Sequence, residues 1–141
     1  MKCESLEVLN EVYGDFIIKF RVRSKVDGFR WALVAVYGAA QPELKPEFLA
    51  DLVRICGDER LPIMVGGDFN IMRAPSDRNR PGGDVNDMLM FNEAISNQGL
   101  VELPLHGRKF SWSNMQHDPL LVKLDWFFTS ASWMTLFQTQ L

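Results

Sequence analysis

The segment that most constrains this 141-residue chain is Gly66-Gly67-Asp68-Phe69-Asn70, directly after the apolar run Leu61-Pro62-Ile63-Met64-Val65. The run reads as a buried strand, and the five residues deliver a carboxylate and an amide to its end. Asp68 and Asn70 are two apart, so strand geometry continued by one step would aim them the same way. The two glycines would let the backbone turn, or let a ligand approach it. In open α/β sheets ligands sit outside the carboxyl ends of strands, and this pair is placed there. A carboxylate and an amide aimed at one ligand suit a phosphate-handling site. The competing reading is structural: Asp and Asn after an apolar run commonly form an Asx turn.

The rest of the chain reads as alternating α and β without repeats. Phe16, Ile18, Phe20 and Val22 alternate with Ile17, Lys19, Arg21 and Arg23, which predicts a half-buried strand with a largely basic, solvated outer face. Asp27-Gly28 signals a turn. Phe29 to Tyr37 is nearly continuous in apolar residues, as in a strand covered on both faces, and it would pair antiparallel with the first. Pro46 suits a first helical turn, with Phe48, Leu49, Leu52, Val53 and Cys56 at helical spacing until Gly57. A strand, helix and strand of this length imply a parallel crossover. Tyr37 and Asp68 would then share one edge of the sheet.

After Asn70, Arg73 to Asp84 is a polar loop carrying Arg73, Arg78 and Arg80. It reads either as a basic rim beside a polyanion or as a solvated surface loop. Asn86 or Asp87 would cap a second helix whose Met88, Phe91, Ala94 and Ile95 face the core, with Gly99 ending it. Leu100 to Leu103, Phe110 to Ser113 and Leu121 to Thr129 read as strands, and Ser132 to Gln140 as a short helix.

Three segments in this order resemble the endonuclease/exonuclease/phosphatase family, which includes DNase I-like and apurinic-site nucleases and the endonucleases of non-LTR (LINE-type) retrotransposons. Gly67-Asp68-Phe69-Asn70 looks like the family's G-D-F-N, Phe110-Ser111-Trp112 like its F-T/S-W strand, and Lys123-Leu124-Asp125-Trp126 like its R/K-L-D-Y/W strand. Ala35-Val36-Tyr37-Gly38 resembles the strand end that carries a phosphate-contacting tyrosine. The texture around Gly107 to Asn114 is most similar to the plant LINE-type branch, and the resemblance covers most of residues 16 to 130.

What the resemblance implies is a DNase I-like α/β fold: a four-layer sandwich of two mixed β-sheets packed face to face with flanking helices, present here in part. It implies a Mg²⁺-dependent phosphodiesterase acting on DNA, with Asp68 orienting or deprotonating water or helping to hold the metal. Asn70 would donate to the phosphate, and Asp125 would orient a catalytic His. Tyr37, Trp112 and Arg73 become substrate-binding candidates. Each has an ordinary alternative, as has Asp125: a backbone hydrogen bond for the Tyr37 hydroxyl, the core for Trp112, a solvated surface loop for Arg73, and a salt bridge to a Lys or Arg for Asp125.

Two departures matter. The family's site also needs an Asn on its first strand and a metal-binding Glu on the next, both upstream, and neither is identified here: Glu4, Glu7 and Glu11 do not follow an apolar run, and none takes the metal role. It also needs a His downstream of the Leu-Asp strand, and Trp126 to Leu141 contains none, while His106 and His117 read as loop residues. The expectation is therefore a single truncated domain over residues 1–141 that is catalytically incomplete. A non-catalytic nucleic-acid-binding or structural role is one alternative. A metallophosphatase-type phosphoesterase is another, but it would carry downstream G-N-H segments, and this chain has none.

Composition limits the remaining choices. With 47% hydrophobic and 11% aromatic residues the chain is too apolar for disorder. A net charge of -3 argues against a strong nucleic-acid binder. No run approaches the roughly 20 apolar residues that span a bilayer, so no membrane is expected. Cys3 and Cys56 make no metal or redox spacing, and both read as free thiols of an intracellular protein, nuclear if it derives from a retroelement. Missing strands would leave sheet edges unpaired, which predicts self-association.

Overall fold

The computed structural model describes residues 5–104 and 109–133. Strands β1 (Leu6–Tyr13), β2 (Ile17–Ser24), β3 (Arg30–Tyr37), β4 (Ile63–Asp68), β8 (Asp125–Ser130) and β5 (Leu100–Glu102) form one sheet in that spatial order. Strands β6 (Trp112–Ser113) and β7 (Leu121–Val122) make a separate antiparallel ribbon. The hairpin β2–β3 is antiparallel and β3–β4 parallel, with helix α1 (Lys45–Gly57) in the crossover, as the spacing of apolar residues requires. Helix α2 (Val85–Asn97) follows the polar loop.

Cross-strand partners share a face of the sheet. Val34, Val65 and Phe128 are such partners, and with Val36 and Trp126 they form the buried face under the helices. Phe48 and Leu52 of α1 and Phe91 and Ile95 of α2 cover it. At their meeting point lies Phe69, fully buried, its ring 5.9 Å from Phe48, 5.3 Å from Phe91 and 5.6 Å from Phe128. Burial of a side chain of this size contributes about 1.5–3 kcal/mol, so the middle of the Asp68-Phe69-Asn70 segment is a core anchor. The opposite face is covered less among the described residues: Ile18, Phe20, Leu33, Met64 and Phe127 are half-buried, and at its far end Trp133 packs against Trp31 at 5.1 Å.

Several sequence expectations change. The basic face of β2 is solvated only in part: the Arg21 and Arg23 side chains stay 31% and 40% exposed, but Lys19 is buried under α1 against Glu59 at 2.8 Å while donating to the Ile55 carbonyl at 3.1 Å. β3 is covered fully on one face only, since Ala35 and Tyr37 are exposed on the other. In α1 it is Ile55 that faces the core, and Val53 faces outward. Asp84, not Asn86 or Asp87, caps α2 by accepting from the Asp87 N–H at 3.2 Å. The apolar stretch Leu121 to Thr129 is two strands in two sheets, broken at Lys123-Leu124. β1 is a strand that the sequence pattern does not announce. Cys3, His106 and all but the start of Ser132 to Gln140 lie outside the described residues, and residues 131–133 form a helical turn.

Cys56 is buried as expected, and that burial pushes its thiol pKa up to about 12. Its thiolate population at neutral pH is accordingly minute, and the thiolate is the reactive form. Mass spectrometry after iodoacetamide treatment should find Cys56 unmodified in the native protein and fully modified in denaturant. Native modification at a comparable rate would contradict this packing.

Candidate functional site at the edge of strands β3, β4 and β8

The register places Tyr37 beside Asp68, and Asp68 beside Asp125, at the ends of three neighbouring strands. Directly paired residues hold their Cβ atoms about 4.5–5.5 Å apart on one face, so two carboxylates and a phenol share one edge. The glycines that precede Asp68 make this possible by packing. A Cβ on Gly66 would lie 2.3 Å from the Phe127 ring, and Gly67, at φ +139°, would put one 2.2 Å from the Val36 carbonyl oxygen. Their absent side chains serve strand contact, and no ligand approach is needed to explain them.

Asn70 reaches the edge by a route that strand periodicity does not predict. The strand ends at Asp68, Phe69 turns into the core, and Asn70 adopts φ +53°. Its N–H donates to Asp68 Oδ1 at 2.9 Å, an Asx turn, and its Nδ2 donates to the Gly38 carbonyl at 2.8 Å. The Gly38 N–H in turn donates to the Asp68 carbonyl at 2.6 Å. Each functional group is thus half used. Asp68 Oδ2 and the second Asn70 amide hydrogen have no hydrogen-bond partner among the described residues.

Burial raises the Asp68 pKa above the ordinary carboxylate value; the Asn70 N–H opposes this, the Asp125 charge adds to it, and Lys45 opposes it. A raised native pKa means that the folded state holds the proton more tightly than the unfolded one. The resulting stability penalty is absent below the unfolded pKa and complete once pH has risen above the folded one. Asp68→Asn, which keeps the Oδ1 acceptor, should therefore melt higher than the wild type at pH 7 and like it at pH 3. A lower melting temperature at pH 7 would contradict the electrostatics assigned to this edge.

Asp125 is fixed through its backbone. Ser111 Oγ accepts from the N–H groups of both Leu124 (2.8 Å) and Asp125 (3.0 Å), which sets the jog from β7 into β8, and the Phe69 N–H donates to the Leu124 carbonyl at 2.9 Å. No Lys or Arg forms an ion pair with Asp125 among the described residues, so the salt-bridge alternative is not realised. Tyr37 is 77% exposed, and its side chain makes no hydrogen bond to backbone among the described residues. Trp112 is 45% exposed on the ribbon and is not a core residue: among the described residues β6 pairs with β7 alone.

Arg73 is not brought to this edge. Its Nε donates to Asn92 Oδ1 at 2.7 Å, it pairs with Glu102 at 2.8 Å, and its guanidinium lies 5.8 Å from the Trp126 ring on the helix-covered face. With Lys123, which also pairs with Glu102 at 3.1 Å, it lines a cavity of about 460 Å³. The loop after it is stitched down: Asp77 Oδ2 accepts from the Arg73 and Ala74 N–H groups at 2.8 Å each, and Asn79 bonds to Pro119 and Leu121. His117 is exposed in the ribbon loop.

Lys45 is the residue that pattern reading overlooks. It is 8% exposed, and its Nζ donates to the carbonyls of Ala39 (2.9 Å) and Asn70 beneath the edge. Burial lowers its pKa, and the Asp87 and Asp68 charges counter that. The one hint in the sequence is a lysine at the start of a helix, where a cation is disfavoured.

As a cation site the edge offers Asp68 and Asp125. No group of three His, Cys, Asp or Glu side chains capable of holding a metal exists among the described residues. A hard cation such as Mg²⁺ needs oxygen ligands in octahedral order, and two carboxylates, one already half engaged, do not make a closed site for it.

No protein-family model matches the chain, and no curated protein matches it. Solved structures do. The endonuclease domain of TRAS1, a telomere-specific non-LTR retrotransposon, matches with a TM-score of 0.71 at 15% identity, over 93% of this chain and 58% of that one. The human nocturnin catalytic domain with bound sulfate gives 0.62 at 14% identity, over 92% and 50%. TDP2 of D. rerio in complex with a single-strand DNA product gives 0.57 at 12% identity, over 92% and 56%. This chain has the DNase I-like α/β fold. It spans between 50% and 58% of the length of these three structures. No helix among the described residues is long and apolar enough to cross a membrane.

Proposed function

We propose that this chain carries the water- and phosphate-handling part of a Mg²⁺-dependent phosphodiesterase site that acts on DNA, of LINE-type endonuclease ancestry, and that it is catalytically incomplete by itself. The observation that carries the reading is the register that sets Tyr37, Asp68 and Asp125 side by side, with Asn70 returned to them by its turn. In this reading Asp68 Oδ2 orients the attacking water and takes its proton, helped by the raised pKa. The free Asn70 amide hydrogen and the Tyr37 hydroxyl donate to non-bridging oxygens of the phosphate, where charge builds in the transition state. Asp125 keeps Asp68 from ionising too readily. The thin donor set supports incompleteness, since loss of a metal anchor and of a general acid each lowers such rates by orders of magnitude.

Nicking of supercoiled plasmid by the purified chain tests this, with Mg²⁺, with EDTA and with Asp68→Ala. Little or no nicking by folded protein is expected, with any residual activity lost in EDTA and in Asp68→Ala. Rapid Mg²⁺-dependent nicking would overturn incompleteness, and nicking unchanged in Asp68→Ala would overturn the site.

A second reading is a non-catalytic nucleic-acid-binding or structural domain, favoured by the Asx turn that occupies Asp68 Oδ1. DNA binding without cleavage, insensitive to Asp68→Ala, would select it. Self-association belongs to the same proposal, because β1 ends the sheet with Val8 and Tyr13 exposed. Sedimentation velocity should show concentration-dependent oligomers, and a strictly monomeric chain would contradict this.

A further inference from the structure

Burying an ammonium is unfavourable, and at the first position of a helix it also opposes the positive end of the macrodipole. Lys45 bears both costs. What it gains are two carbonyls from two different loops: Ala39, two residues beyond β3's Tyr37, and Asn70, two residues beyond β4's Asp68. Those loops meet at one other pair of bonds, from Asn70 Nδ2 to the Gly38 carbonyl and from the Gly38 N–H to the Asp68 carbonyl. Asn70 stands at φ +53°, which a non-glycine residue holds only where its surroundings fix it. Its carbonyl is fixed by Lys45, its N–H by Asp68 and its amide by Gly38.

We propose that Lys45 is a positioning residue: its ammonium latches the loops leaving β3 and β4 through the Ala39 and Asn70 carbonyls and so holds Asp68 and Asn70 at the shared edge. Lys45 touches neither water nor phosphate in this role and acts through Asn70. Downward pressure on its pKa from burial is countered by the Asp87 and Asp68 charges, in keeping with an ammonium that stays charged in place. Only the kinetic consequence rests on the phosphodiesterase reading; the latch itself does not.

Lys45→Met keeps the apolar stem and removes both bonds, whereas Lys45→Gln keeps an N–H-donating group without the charge and on a shorter stem. Native-state amide exchange is the primary readout, comparing Asn70 and Gly38 with Val34 and Val65 in the central strands. Charge-assisted hydrogen bonds of this kind are strong, so Lys45→Met should accelerate exchange at Asn70 and Gly38 roughly ten- to a hundred-fold and leave the central strands unchanged. Lys45→Gln should fall between Met and wild type. If the wild type nicks plasmid, kcat should fall by a similar factor with KM nearly constant. Acceleration spread evenly over all amides, or none at Asn70, would overturn the latch. A wild type that does not nick leaves the exchange result decisive, so failure of the phosphodiesterase reading and failure of the latch are told apart. Should Lys45→Met fail to fold, exchange in Lys45→Gln decides alone.

Discussion

Replacing Glu59 by alanine should destabilise the protein by about 3–5 kcal/mol, the usual consequence of stranding one partner of a buried ion pair. The Lys19 and Glu59 side chains are each 3% exposed and 2.8 Å apart, and Arg21 joins the same carboxylate at 2.9 Å. Without Glu59 the Lys19 ammonium keeps only the Ile55 carbonyl. Burial alone would raise the Glu59 pKa, but Lys19, the Leu61 N–H and Arg21 together hold it below the ordinary value. Its contribution is therefore present above the unfolded pKa and lost as pH falls through the folded one. Urea denaturation should show the full deficit of Glu59→Ala at pH 7 and a smaller one in acid. A double replacement, Lys19→Met with Glu59→Leu, should recover most of the loss, because apolar pairs substitute well for buried ions. A single mutant as stable as the wild type would contradict the burial of the Lys19–Glu59 pair.

Gly67→Ala should cost a comparable amount, about 3–5 kcal/mol from backbone strain and overpacking together. At φ +139° an L-residue is strained before any contact is considered, and the new Cβ would sit 2.2 Å from the Val36 carbonyl oxygen. Val36 cannot move aside, since β3 is bonded to β2 and β4. Gly28 supplies the control: its φ is +74° with nothing within 4 Å of a Cβ, so Gly28→Ala should cost about 1 kcal/mol. Equal losses in the two variants would mean that the approach of β4 to β3 is looser than these distances.

Much of this architecture is legible in the sequence because its signals are local. The β2–β3 hairpin follows from alternation around Asp27-Gly28, α1 and α2 from helical spacing, and the shared edge of Tyr37 and Asp68 from a strand–helix–strand of the right length. What stays hidden depends on distance in the sequence. β1 hides because a register shift between Val8 and Asn10 breaks its alternation. The break at Lys123-Leu124 hides inside a largely apolar run and is made by Ser111, more than ten residues away. Arg73 looks free in the sequence because its partners, Asn92 and Glu102, lie on later elements. Lys45 is recognisable only once Ala39 and Asn70 are seen together. Asp68 and Asn70 do converge, but through an Asx turn and not through the pleat, so the functional and the structural reading of that pair are present in one structure.

Backbone chemical-shift mapping with a short DNA duplex tests the proposed edge most directly. The largest perturbations should fall on the amides of Tyr37, Asp68, Asn70 and Asp125, and should vanish in the Asp68→Ala, Asn70→Ala double variant. Perturbations confined to Arg80 and the ribbon loop around Asp118, or unaltered in that variant, would contradict a phosphate-handling site at the ends of β3, β4 and β8.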